Sequence, residues 1–198
     1  MILVKLDNVT KYFKDFKALN KINLEFSTGR LYLLVGENGS GKSTIIKLIA
    51  KINTLKKNDS GNVIYNTKKI GYLPDKYILP KYINALDFIR LYTKNYNMGR
   101  ALDDYFVPNK LIVSMSKGMQ QKVGIISVMY SDNDLYLFDE PLDGLDMASK
   151  ELFREKINEY VNIGKTIIIA THNASFYQMI NPVIYNIHLG SIVNEETN

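Results

Sequence analysis

Gly36-Glu37-Asn38-Gly39-Ser40-Gly41-Lys42-Ser43 has the spacing of a phosphate-binding turn: a glycine, four residues, then Gly-Lys and a hydroxyl. Glycines at 36, 39 and 41 let the backbone bend tightly and aim its N–H groups inward at phosphate oxygens. Lys42 adds a mobile positive charge for the β and γ phosphates of a nucleoside triphosphate. Ser43 offers a hydroxyl to Mg²⁺, and the helix opened by Thr44 presents its positive end. Further along, Leu135-Tyr-Leu-Phe-Asp139-Glu140 is an apolar run ending in two carboxylates. A buried strand of this kind can carry Asp139 to the phosphate turn, where it holds Mg²⁺ through a water. Glu140, one step beyond, can polarise an attacking water.

Positioning these groups requires strands that end where the chemistry begins. Leu31–Val35 runs straight into Gly36 and reads as a buried strand, followed by helical spacing from Thr44 to Ile52. Ile70–Leu73, Leu135–Phe138 and Thr166–Ala170 are similar short apolar runs, as parallel strands covered on both faces tend to be. Helical patterns occupy the intervals: Ile83 to Thr93, less regular onward to Tyr105, then Lys117 to Tyr130 and Ala148 to Val161, which stops at Gly164. Ile2–Val9 and Ile22–Phe26 alternate like antiparallel strands, with Lys11–Asn20 between them. Val183 to Val193 reads as a hairpin around Leu189-Gly190-Ser191. The alternation predicts an α/β fold with a mostly parallel sheet, N-terminal antiparallel strands and a small helical lobe. The segment from 76 to 115 contains no convincing strand; the lobe is placed over about 76–130, within a single domain spanning 1–198.

Composition narrows the function classes. The chain has 198 residues, 46% of them apolar, and carries 25 basic against 20 acidic residues for a net charge of +5. It contains no cysteine, which excludes disulfides and thiolate metal sites. No apolar run approaches the roughly 20 residues needed to span a bilayer, and the start lacks a signal peptide. The sequence therefore predicts a soluble chain whose membrane role, if any, comes through a partner.

With these motifs in this order the chain resembles the ABC ATPase family over nearly its whole length. The family signature, Leu-Ser-Gly-Gly-Gln before a helix, corresponds here to Met115-Ser116-Lys117-Gly118-Met119, in which Ser116 and Gly118 match. Ser116 and the amides near Gly118 make an anion site at a helix N-terminus. Pro141-Leu-Asp-Gly-Leu-Asp146 is similar to the family's D-loop through Gly144, Leu145 and Asp146. The resemblance implies that His172, after the run Ile167–Thr171, is the switch histidine that contacts the γ-phosphate. It also implies that Tyr12 stacks on adenine. Gly71-Tyr-Leu-Pro74 should lead into a glutamine, yet residue 75 is Asp, a carboxylate that could approach Mg²⁺ or orient water.

Taken as a whole, the resemblance implies an ATP-hydrolysing subunit with Mg²⁺ as cofactor. Two cassettes, identical or not, would pack head to tail, with Ser116 of one closing on the nucleotide held by Lys42 of the other. A separate transmembrane subunit would dock on the helical lobe, placing the chain on the cytoplasmic face of the membrane. The Ser-x-Gly-Met variant leans toward export. A soluble ABC machine acting on DNA or ribosomes is a second reading. It would carry coiled-coil arms or a second cassette, so no nucleic-acid partner is expected. A third is an inactive cassette that only pairs with an active one; Lys42, Asp139, Glu140 and His172 speak against it.

Overall fold

The computed structural model describes residues 1–93 and 98–197 and arranges them as two sheets with helices between and outside them. A three-stranded antiparallel sheet comprises β1 (Ile2–Phe13), β2 (Phe16–Ser27) and β4 (Ser60–Tyr65), in the order β2-β1-β4. A six-stranded sheet contains β3 (Leu31–Val35), β5 (Ile70–Leu73), β6 (Leu135–Asp139), β7 (Thr166–Thr171), β8 (Val183–His188) and β9 (Ser191–Thr197). Its order is β5-β6-β7-β3-β8-β9; every pairing is parallel except the final β8–β9 hairpin. The helices are α1 (Lys42–Ile49), α2 (Ala85–Arg90), α3 (Met98–Asp104), α4 (Lys117–Met129) and α5 (Met147–Asn162).

The apolar runs behave as sheet-centre strands because each feeds two cores. Along β3, Leu31 and Leu33 face one core with Phe138, Phe153, Ile167 and Ile169, where α4 and α5 pack. Tyr32 and Leu34 face the other with Ile45, Ile49, Leu137, Ile168 and Ala170, where α1 and the antiparallel sheet pack. This is the period-two alternation of a strand covered on both sides. Burial of these side chains contributes on the order of 1.5–3 kcal/mol each, and it fixes the strand ends from which the chemistry projects.

Three expectations need correction. Lys11–Asn20 is not a connection: β1 continues to Phe13 and β2 begins at Phe16, with Phe13 paired to Phe16 across a turn at Lys14-Asp15. Lys14 takes a left-handed conformation there, φ 54°, and the charge of this stretch conceals its alternation. Strand β4 has no counterpart among the expected strands: it offers little apolar signal, and its residues alternate between exposed and half-buried. Gly61 within it, φ 86°, lies where a Cβ would meet the Asn8 carbonyl at 2.4 Å. Helix boundaries also move, α1 starting at Lys42 and α2 covering only Ala85–Arg90. The region expected as a lobe holds α2, α3 and α4; its only β-pairing among the described residues is an isolated bridge between Asn84 and Leu111. Part of the less regular stretch before Tyr105 lies outside the described residues.

Candidate functional site

The turn leaves β3 at Val35 and enters α1 at Lys42, with Gly41 (φ 114°) as the helix cap. Gly36 passes so close to β8 that a Cβ on it would lie 2.2 Å from the Ile187 carbonyl oxygen. Lys42 is 5% exposed and folds back into its own loop. Its Nζ donates to the carbonyls of Gly36 at 2.7 Å and Glu37 at 3.0 Å. Ser40 Oγ is buried with no partner in the protein.

Asp139 arrives at the C-terminal end of β6 and accepts a hydrogen bond from Ser43 Oγ at 3.0 Å. Burial raises its pKa, and the Asp75 carboxylate adds to the rise, while Ser43, Lys47 and Lys42 work against it. Glu140 follows with a left-handed backbone, φ 47°, and its N–H donates to the Ala170 carbonyl at 3.0 Å. That bend aims its side chain at the loop. Oε1 is buried without a hydrogen-bond partner, 4.0 Å from Lys42 Nζ, and Oε2 lies 3.1 Å from His172 Nδ1 at the end of β7. Burial raises the Glu140 pKa against the opposing pull of His172 and Lys42.

A cleft of about 240 Å³ joins these groups. Asn38, Gly39, Ser40, Gly41, Lys42, Ser43, Thr44, Asp75, Asp139 and Glu140 all line it, while Gly36 and Glu37 contribute the carbonyls that hold Lys42. A lysine whose hydrogen bonds go to its own loop, a Ser40 hydroxyl and a Glu140 oxygen without hydrogen-bond partners suit an incoming polyphosphate with water. Among the described residues no group of three or more His, Cys, Asp or Glu side chains could hold a metal. Ser43 and Asp139 alone still fit Mg²⁺, which keeps several waters and takes substrate phosphates as ligands rather than needing an all-protein cage. Asp75 supplies charge beside Asp139.

Tyr12 is not among the residues that line the cleft. Phe13 and Phe16 line it instead, 44% and 64% exposed, with Ala18 beside them. Neighbouring residues on a strand point to opposite faces, so a shift of one position changes which aromatic meets a ligand. The signal that could have found them is the Phe13/Phe16 pair across a two-residue turn.

Ser116, Gly118 and Asp146 lie outside this cleft, on a second assembly. Ser116 caps α4, its hydroxyl accepting from the Met119 N–H at 3.2 Å. Gly118 packs against the D-loop, where a Cβ would approach the Gly144 carbonyl to 2.6 Å. Asp146 caps α5 through the Ser149 N–H at 2.8 Å and pairs with Lys122 Nζ at 2.7 Å. Lys122 and then Ser149 hold its carboxyl well below the usual carboxylate range.

A parallel sheet with a glycine turn after its central strand, and a carboxylate from a strand one place removed reaching the turn's serine, defines a phosphate-loop nucleotide-binding fold. Residues 19–143 match the ABC transporter family model. The chain is 35% identical to an uncharacterized ABC transporter ATP-binding protein of Methanocaldococcus jannaschii, over 85% of this chain and 68% of that one. It is 28% identical to the lantibiotic transport ATP-binding protein of Streptococcus pyogenes, over 98% of this chain and 90% of that one. A dimeric bacterial ABC transporter cassette superposes with a TM-score of 0.86 at 23% identity, covering 98% of both chains. The chain belongs to the ABC transporter family of ATP-binding proteins.

Proposed function

We propose that this chain is the ATP-hydrolysing subunit of a transporter, working as one of two cassettes packed head to tail. The observation that carries this reading is the Ser43–Asp139 hydrogen bond, because it fixes the phosphate turn and the carboxylate strand in one working geometry. The glycine-turn amides and Lys42 bind the phosphates, Lys42 exchanging its bonds to Gly36 and Glu37 for phosphate oxygens. Ser43 and Asp139 would hold Mg²⁺, whose charge would offset that of the phosphates. Glu140, with one oxygen free and the other oriented by His172, accepts a proton from the attacking water. Phe13 and Phe16 form the wall against the base. Ser116, Gly118 and Asp146 serve the nucleotide of the second cassette.

Among the described residues no helix is long and apolar enough to cross a membrane. Docking onto a separate membrane subunit is supported by Ile78, Tyr82, Leu91 and Phe106, large apolar side chains 70–90% exposed on the segment between β5 and α4. Export is the favoured direction, in keeping with the lantibiotic transport relative, and the chain then works at the cytoplasmic face of the membrane. The test is Glu140→Gln with saturating Mg-ATP in analytical ultracentrifugation. The reading expects bound ATP and a stable dimer, and a protein that binds ATP yet sediments as a monomer refutes the two-cassette arrangement.

A further inference from the structure

The aromatic wall of the cleft rests on a buried ion pair. Lys11, two residues before Phe13 on β1, donates from Nζ to Asp59 Oδ2 at 2.6 Å, and the two side chains are 3% and 1% exposed. Asp59 accepts from two backbone N–H groups as well, Tyr12 at 2.8 Å and Lys56 at 2.7 Å. One carboxylate, from the connection ahead of β4, thus grips β1 at the two residues that precede Phe13. Lys11 and Phe13 share a face of the strand, and the ammonium sits 5.3 Å from the Phe13 ring centroid, within cation–π reach.

The tether occurs where the ladder is irregular. The β1–β2 register shifts between Val9 and Lys11 and again between Lys11 and Tyr12, just before the hairpin turns. An exposed ring beyond such irregularities would otherwise be free to swing. Stability alone does not call for charge here, since two apolar side chains of similar volume often hold a fold as well as a buried ion pair does. Burial works to raise the Asp59 carboxyl, but Lys11 and the two N–H donors outweigh it and leave its pKa below the ordinary value. Asp59 therefore stays ionised, and the lysine stays fixed.

We infer that Lys11 and Asp59 are positioning residues for the nucleobase, holding the Phe13 ring where it stacks on the base of the bound nucleotide. The inference rests on the reading of the cleft as a nucleotide site with Phe13 as its base wall. A ligand with phosphates and no base separates the two ideas. ATP and inorganic tripolyphosphate are titrated calorimetrically into the parent, Lys11→Met, Asp59→Asn, the double variant of both, and Phe13→Ala. The double variant removes both buried charges and so avoids stranding one of them. The Kd for ATP is expected to rise about tenfold in the charge variants, the size of a partial loss of base stacking, with tripolyphosphate unchanged. Equal weakening of both ligands, or an unchanged ATP affinity, overturns the positioning role. Phe13→Ala tests the underlying reading: if ATP binds it as tightly as the parent, the base wall is elsewhere and the inference falls with it. If Phe13→Ala weakens ATP and the Lys11 and Asp59 variants do not, the base wall stands and only the positioning role is lost.

Discussion

Replacing Gly36 by alanine probes the tightest contact in the phosphate turn. The added methyl would stand 2.2 Å from the Ile187 carbonyl oxygen and 2.7 Å from Ser40 Oγ. Ser40 could rotate, but the carbonyl belongs to β8, which is paired on both sides by β3 and β9. Relief then means moving the turn away from the sheet by about 1 Å, and overpacking of this sort costs about 3 kcal/mol at the upper end of its range. For a chain of this size that lowers Tm by about 6–12 °C. Because the turn runs directly into Lys42 at the start of α1, the same shift misplaces its ammonium, and ATP hydrolysis falls about 100-fold. Gly39→Ala is the control. Nothing lies within 4 Å of its added methyl, so only the left-handed backbone objects, at about 1–2 kcal/mol. Thermal unfolding and phosphate release are measured on both variants. A Gly36→Ala protein that melts within about 2 °C of the parent, or above Gly39→Ala, refutes the claim that close approach to β8 dictates glycine at this position.

Glu140 carries a pKa raised chiefly by burial, so it favours the fold most below the ordinary carboxylate range and loses that contribution as pH rises through its raised value. Glu140→Gln should therefore melt above the parent at neutral pH and show no advantage near pH 4, about where carboxylates are protonated; a pH-independent difference contradicts this. Gly124→Ala should destabilise the protein, because its methyl meets Tyr77 Oη at 2.3 Å. Adding Tyr77→Phe should recover part of the loss, and strict additivity in the double-mutant cycle would show that the two sites do not touch. Asp146→Ala should cost about 1–2 kcal/mol by removing the cap of α5, while Asp146→Asn keeps an acceptor for the Ser149 N–H; equal melting points for the two would remove the capping argument.

The parallel strands are legible in the sequence because each is apolar on both faces and ends at a punctuating residue: Gly36 after β3, Asp139 within β6, His172 after β7. The antiparallel sheet is harder to read. β4 has Asn62 among its few apolar residues, and the Lys11–Asn20 stretch hides a hairpin beneath its charges, of which Lys11 is buried against Asp59. A partner distant in sequence, here Asp59, leaves no periodic trace. That Phe13 rather than Tyr12 lines the cleft has the same origin, since the face of a strand depends on register and the register shifts on both sides of Lys11. Motif alone places Ser116 and Asp146; their capping bonds and the Lys122 partner emerge only from tertiary contacts.

Strand β7 separates the strand that delivers Asp139 from the one that delivers the glycine turn. Leu33 and Phe138 are both level with Ile169, one on each side. The span between serine, carboxylate and histidine is therefore gauged by the main chain: the hydrogen-bonded ladder through β7 sets how far apart the reacting groups stand. Swapping one branched aliphatic residue for another inside Ile167–Ile169 leaves that gauge intact. Deleting a single residue there would slide that ladder by one notch, exchange the strand's side chains between the two cores and draw His172 off Glu140 without altering any polar group.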